Sequence, residues 1–273
     1  MKNSDLHVHS YYSDGIFSPA EIVRKAKEKG IKNLALTDHN SFQGIIEAQK
    51  EAKKQDINLI PGIELRSKEG EVLGYFIDFK NEEFIKKVKI IQNRSKEVFE
   101  NTIKELSKRG IIVKSSEVLD TKLKRNNTLT AYLFKFLKNK NQISIKEVKE
   151  IMKGDLFKLH YSTEEIIKII NNAGGIAVLA HPWYFKTFLN EVRIKELVKI
   201  GLKGIEIDNG GMGEERACSL DKINKFSERY NLILTSGSDY HGDSSLMSNE
   251  HKLGANNCDE EIVNKLKLIK TKK

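Results

Sequence analysis

Seven short, nearly unbroken apolar runs recur along this chain with helix-length segments between them. They fall near Leu6–Val8, Leu34–Thr37, Asn58–Ile63, Val72–Ile77, Ile176–Ala180, Gly204–Ile207 and Leu232–Thr235. A strand with one wet face alternates apolar and polar residues, so runs without alternation predict parallel strands buried on both faces. The first intervening helix has clear start and stop signals: Ser18 as N-cap, Pro19 at the first helical position, Glu21 as capping-box partner and Gly30 at the end. Ala20, Ile22, Val23 and Ala26 give it one apolar face. Further helices are expected near Phe42–Gln55, Glu82–Lys108, Thr163–Ala173, Glu191–Ile200, Glu214–Tyr230 and Glu260–Ile269. Strand and helix in alternation predict an α/β fold with a parallel sheet.

The stretch from Ile111 to Tyr161 breaks this rhythm, being rich in Lys and Asn, helical in pattern and without a convincing strand. It reads as an inserted helical subdomain, which leaves 1–110 and 162–273 as one barrel domain. At 273 residues the chain is long enough for such a domain, and no apolar run approaches the roughly 18 residues of a membrane helix. The first apolar stretch is interrupted by Asp5, His7 and His9, unlike a secretory signal, so a cytoplasmic protein is expected. Cys218 and Cys258 lack metal-type spacing and read as reduced thiols. The net charge of +9 fits a nucleic acid or a phosphorylated metabolite, although the basic residues are spread along the chain rather than focused in a patch.

Position is what makes the chemistry-bearing residues informative. His7 and His9 lie in or just past the first run, Asp38 and His39 end the second, and Glu64 ends the third. His181 ends the fifth, and Asp239 and His241 follow the seventh. In a closed parallel barrel those carboxyl ends share one face, where active sites are built from the strand-to-helix loops. Two residues apart, His7 and His9 project from the same strand face, and Asp14, in a Gly-terminated turn, can fold back over them. Mixed imidazole and carboxylate donors suit Zn, Mn or Fe better than Ca or Mg, and their number exceeds what one ion uses. Two or three divalent ions are expected. Asp5 is expected to orient an imidazole, and Asp38 to do the same for His39. His160 and His251 fall in the insertion and in a polar loop, away from the pattern, and are read as non-ligands.

The segments "DLHVHSYYSDG", "ALTDHN", "IPGIEL", "VLGYFID", "GGIAVLAHP" and "GSDYHG" occur in an order and spacing that resembles the PHP (polymerase and histidinol phosphatase) family of metal-dependent phosphoesterases. The set is most similar to the branch with the 3′,5′-nucleotide bisphosphate phosphatase and a 5′-to-3′ exonuclease acting on RNA ends. This resemblance implies a distorted (β/α)7 barrel with a helical subdomain over the pocket and a trinuclear site loaded with Mn, Fe or Zn, Mn being the first choice. The implied ligands are His7, His9, Asp14, His39, Glu64, His181, Asp239 and His241, with Glu64 as bridge. Asp38, His39, Glu64 and His181 are the implied catalytic residues, and Asn40 and Arg94 match substrate-contacting positions.

Two positions depart from the family pattern. A histidine ligand is expected where Glu71 stands, and Glu71 is kept as an altered ligand. The usual Arg-and-His element in the insertion is reduced to Arg125 within "RNNTLTAYL", and Arg125 is kept with Asn40 and Arg94 as a substrate-binding residue. The expected reaction is hydrolysis of a phosphomonoester, of the nucleotide 3′,5′-bisphosphate type, by a metal-bound hydroxide. Three alternatives remain at this point: a 5′–3′ exonuclease on short RNA or DNA ends, a histidinol-phosphate-type phosphatase, and a catalytically weakened scaffold module.

Overall fold

In the computed structural model, β1 (Lys2–Val8) lies parallel to β2 (Asn33–Leu36), and β2 parallel to β3 (Asn58–Arg66). Residues 2–114, 161–184, 190–208, 214–242 and 251–271 are described, together with isolated positions between 118 and 151. Between these strands run α1 (Pro19–Glu28) and α2 (Ile45–Gln55). The capping box forms as expected, with Ser18 accepting from Glu21 N and the Glu21 carboxylate accepting from Ser18 N. Gly30, at φ 73°, follows the end of α1. Ile22, Val23 and Ala26 of α1 pack with Ile45, Ala48 and Ala52 of α2 against Val8, Leu34 and Leu36.

The sheet departs from the all-parallel expectation at β4 (Glu71–Tyr75), which runs antiparallel to both neighbours, β3 and β5 (Ile176–Leu179). The reason is chain length. Only residues 67–70 join β3 to β4, and a parallel crossover needs a dozen or more. Ser67 closes this turn, its N and Oγ both donating to Gly70 O at 2.7 and 2.8 Å. The reversal has a functional consequence: the amino end of β4, where Glu71 sits, lies level with the carboxyl ends of the parallel strands.

After β4 comes α3 (Glu82–Lys108), which at 27 residues is about 40 Å long. Then follow α4 (Thr163–Asn172), β5, a 3-10 turn (Pro182–Tyr184), α5 (Glu191–Ile200), β6 (Gly204–Asp208), α6 (Glu214–Tyr230) and β7 (Ile233–Ser236). Strands β5, β6 and β7 are parallel. An eighth strand that the apolar pattern did not reveal, β8 (Cys258–Asp259), pairs antiparallel with β1 and leads into α7 (Glu260–Thr271). Two residues are too few to leave a periodic signal. The order is β7-β6-β5-β4-β3-β2-β1-β8.

Both faces of the sheet are covered, as continuous apolar strands require. Ile63, Leu65, Val72, Ala177 and Leu179 pack against α3, α4 and α5, while Ala35, Ile60, Leu73, Tyr75, Ile176 and Val178 form a separate cluster with Val263 and Leu266 of α7. The outer part of α3 has a core of its own, in which Val98, Phe99 and Leu106 meet Val113, Val118, Leu133 and Leu137. No helix among the described residues is long and apolar enough to cross a membrane. Cys258 is buried, and burial pushes its thiol up to about 12, the inert state expected of a reduced structural cysteine. The side chain of Cys218 lies outside the described residues.

The barrel nearly closes where β1 meets the chain beyond β7. His9 N donates to Tyr240 O at 2.9 Å, and Val8 bridges to Tyr240 in parallel sense. Asp5 secures this seam. Its fully buried carboxylate accepts from Ser238 N, Ser238 Oγ and Gly254 N at 2.9, 2.7 and 2.9 Å. The expectation that Asp5 orients an imidazole is therefore corrected: a strand-start residue on the seam faces backbone donors, and it anchors the loop that carries Asp239 and His241. Hydrogen bonds to a charged group contribute about 1.5–3 kcal/mol each, and their loss leaves buried donors bare. Asp5→Ala is expected to lower unfolding free energy by about 3 kcal/mol in a urea titration, and Asp5→Asn by less.

Candidate metal centre

His7 lies in β1 and His9 just beyond it, with their rings 5.0 Å apart, while Val8 between them packs toward α1 and α2. Asp14 returns over them from the next loop. Its Oδ1 is 3.8 Å from His9 Nδ1 and 3.2 Å from His241 Nε2, and its Oδ2 is 3.8 Å from His39 Nε2. Glu64 sits at the centre of the group. Its Oε2 is 2.8 Å from His39 Nδ1, 3.4 Å from His7 Nε2 and 3.5 Å from His9 Nε2, and its Oε1 is 3.0 Å from His181 Nε2. Asp239 brings Oδ1 to 3.1 Å from His9 Nε2 and 3.4 Å from His7 Nε2. Glu71 closes the ring of side chains, 3.8 Å from His39 Nδ1 and 3.6 Å from His181 Nε2.

All nine residues expected as ligands therefore meet in one pocket. They form four overlapping sets of donors within 4.8 Å: His9, Asp14, His39 and His241; His7, Glu64 and His181; His7, His9 and Asp239; His39, Glu64 and Glu71. The chemistry of the donors fits divalent cations. Among the described residues, His7 Nε2, His9 Nε2, His39 Nδ1, Asp14 Oδ1 and Glu64 Oε2 are buried without a well-formed hydrogen bond although they converge on one another. Bare polar atoms in an interior are costly, and cations between them satisfy imidazole and carboxylate together.

The supporting residues were less legible. Glu206, in β6 and 1% exposed, sets Oε1 2.9 Å from His7 Nδ1 and accepts from His181 N at 2.8 Å through Oε2. It thereby aims His7 Nε2 into the pocket and fixes the loop of His181. The signal was available: a carboxylate inside the buried run "GIEID" must have a partner. Gly237 is required for space, since a Cβ there would lie 2.4 Å from His7 Cβ. Asn40, His181 and Asp239 hold positive φ angles of 49°, 25° and 51°, an uncommon conformation for side-chain-bearing residues and one that concentrates at functional loops.

Asp38 differs from expectation. Its carboxylate accepts from Ser10 N, Ser10 Oγ and Ser13 Oγ, each at 2.7 Å, so it steadies the loop that carries Asp14 instead of orienting His39. Burial pushes its carboxyl up to about 6 despite those bonds. Asn40 commits Oδ1 to Arg66 N at 3.2 Å, and its carbonyl accepts from Gln92 Nε2 at 2.8 Å, which docks α3 beside the pocket. Arg94 of α3 lies with its guanidinium carbon 4.5 Å from the Tyr161 ring centre. His251 Nδ1 is 3.1 Å from Ser238 O, a structural contact. Arg125 and His160 lie outside the described residues.

Without cations, protons carry the compensating charge. Burial disfavours the charged imidazoles, yet Glu64 and Asp14 hold His39 up to about 10, and Asp14 and Asp239 hold His241 up to about 9. His9 is the exception, brought down to about 4 by burial and by its neighbours His241 and His39. A histidine whose folded-state value is raised stabilises the fold fully below its unfolded value of about 6.5, and that contribution is lost as pH rises through the folded value. The metal-free protein is therefore expected to lose thermal stability between about pH 7 and pH 10. Cations displace the same protons, so affinity for Mn²⁺ is expected to rise over this interval, as calorimetry in buffers of different ionisation enthalpy will read.

The PHP domain model matches residues 5–209. Over 252 residues the chain is 29% identical to a 5′-3′ exoribonuclease of Haemophilus influenzae, with 88% of this chain and 90% of the relative covered. It is 27% identical over 259 residues to a 3′,5′-nucleoside bisphosphate phosphatase of Chromobacterium violaceum, covering 88% of each. In fold it is similar to a solved structure from Bifidobacterium adolescentis assigned as a metal-dependent phosphoesterase, with a TM-score of 0.80, 22% identity, and coverage of 97% and 95%. With the pocket's donors and this match over most of its length, the chain belongs to the PHP domain family and is a hydrolase of phosphoesters.

Proposed function

We propose that this protein releases inorganic phosphate from a nucleotide phosphomonoester, of the 3′,5′-bisphosphate type, at a centre of two or three divalent ions, with Mn ahead of Fe and Zn. The observation that carries this reading is the convergence of nine imidazole and carboxylate side chains on one pocket, with buried donor atoms left unpartnered. His7, His9, Asp14, His39, Glu64, Glu71, His181, Asp239 and His241 would hold the ions. When bound, such ions lower the pKa of water towards neutrality and offset charge on the phosphoryl oxygens.

The chain's own residues mainly position. Glu206 aims His7, Asp38 steadies the loop of Asp14, and Asp5 anchors the loop of Asp239. Asn40, Arg94 and, from the inserted segment, Arg125 are assigned to substrate. We place residues 111–161 as an inserted subdomain, in keeping with the separate apolar cluster at the outer end of α3.

An aromatic ring favours a nucleotide over a simple ester. Tyr184 is 54% exposed, and its ring lies 5.3 Å from that of His181, so a face at the pocket mouth can stack a base. The second reading, trimming of 5′ ends, draws support from the Haemophilus relative and the net charge of +9.

The deciding assay offers 3′-phosphoadenosine 5′-phosphate and a short 5′-phosphorylated RNA to protein of measured metal content, with and without chelator. Phosphate release from the nucleotide with added Mn²⁺, abolished by chelator, is expected. Faster release of mononucleotides from RNA would favour the second reading, and protein inert with Mn²⁺ would overturn both. Tyr184→Ala is expected to raise KM for the nucleotide about tenfold, since stacking contributes roughly 1–3 kcal/mol per base, while KM for glycerol phosphate, which has no ring to stack, stays unchanged.

A further inference from the structure

Arg66 ends β3 at the rim of the pocket and pairs in register with Glu71 across the β3–β4 hairpin. Its Nε and Nη2 both donate to a single oxygen, Glu71 Oε1, at 3.0 and 2.7 Å. A guanidinium has five N–H donors, and this arrangement uses two of them. Among the described residues no other acceptor is bonded to the guanidinium, so the rest of the fork is available to another acceptor.

Exposure indicates which way the unused part of the fork faces. The Glu71 side chain is 7% exposed and that of Arg66 35%. The pair thus runs from the buried cluster outward, with the carboxylate inside and the guanidinium at the opening. Glu71 Oε1, the oxygen that Arg66 holds, is 3.8 Å from His39 Nδ1, while Oε2 is 3.6 Å from His181 Nε2. One carboxylate therefore touches the guanidinium on one side and faces two candidate ligands on the other, fixing the cation's distance from the centre. Glu71, and then Glu64 and Asp14, hold the guanidinium in its charged form.

Phosphate recognition calls for this geometry. A planar fork fixed by a carboxylate presents parallel N–H groups that match two phosphoryl oxygens, which a solvated lysine does not. The Arg-and-His element implied for the insertion is reduced to Arg125, which leaves phosphate recognition short of one partner. Glu71, at the position where a histidine ligand is expected, is the residue that anchors Arg66.

We propose that Arg66 binds the phosphoryl group of the substrate, a terminal phosphomonoester, held in register with the metal centre by Glu71. This rests on the reading of the pocket as a phosphomonoesterase site, and it adds a binding residue to it.

The test compares wild type, Arg66→Met and Arg66→Lys, each loaded with Mn²⁺ and assayed for metal by elemental analysis. Binding of inorganic phosphate is measured by calorimetry, which needs no turnover, and KM and kcat are measured with 3′-phosphoadenosine 5′-phosphate. Arg66→Met is expected to weaken phosphate binding and raise KM tenfold or more at unchanged metal content, with kcat falling less than KM rises. Arg66→Lys, which keeps the charge and loses the fork, is expected to lie between. Phosphate binding equal to wild type in Arg66→Met would overturn the proposal. So would loss of metal in step with loss of phosphate, since Arg66 would then only hold Glu71. If the wild type binds phosphate and turns over no ester, the functional reading fails while the calorimetric comparison still decides the role of Arg66. Wild type that binds no phosphate overturns both.

Discussion

A carboxylate with no exposed surface requires positive charge and donors around it, and Glu64 has four imidazoles within 3.5 Å, of which His39, His7 and His181 hold it well below the usual carboxylate range while His9 stays neutral. Leaving such a group uncompensated costs several kcal/mol, enough to decide the stability of a domain. The upper face of the barrel is arranged around this constraint. Strands β1, β2, β3 and β5 deliver one or two side chains each to the same few ångströms. The hairpin after β3, the seam at Asp5 and the absent side chain at Gly237 let their loops approach. Protons and metal ions are two ways to satisfy the same anion, which makes the centre both pH-dependent and ready to take up cations.

Much of this was readable in the sequence because it depends on two local regularities. Apolar runs of strand length marked the strands, and the chemistry-bearing residues stood at their ends, so a shared barrel face predicted that His7 and His241 meet across the whole fold. The direction of β4 was read wrongly. Apolar continuity reports burial on both faces and favours parallel strands only as a tendency, whereas the short gap between the runs ending at Ile63 and starting at Val72 leaves no room for a parallel crossover. That polarity places Glu71 among the candidate ligands even though it begins a strand where the other clusters end theirs.

The supporting partners were harder to read for a different reason. Asp5 and Asp38 were both expected to hold imidazoles, because a carboxylate near a histidine in sequence suggests it. In the structure both hold loops, since backbone N–H groups and serine hydroxyls lie closer to them than any ring. The carboxylate that does hold an imidazole, Glu206, is 199 positions from His7, and no local spacing reports a contact of that range. The pairing of Arg66 with Glu71, although local, emerges only once the hairpin register is known.

The seam between β1 and the segment after β7 also bears on how the protein is made. Val8 and Tyr240 are bridged across 232 positions, and the donors that share His9 include Asp239 and His241. Contacts so distant in sequence form late, after the entropy of closing the long loop has been overcome. On the ribosome, the amino-terminal histidines therefore emerge long before their partners and have only part of a binding site to offer. Full loading waits until the last strands have docked, so metal uptake would report that the barrel has closed.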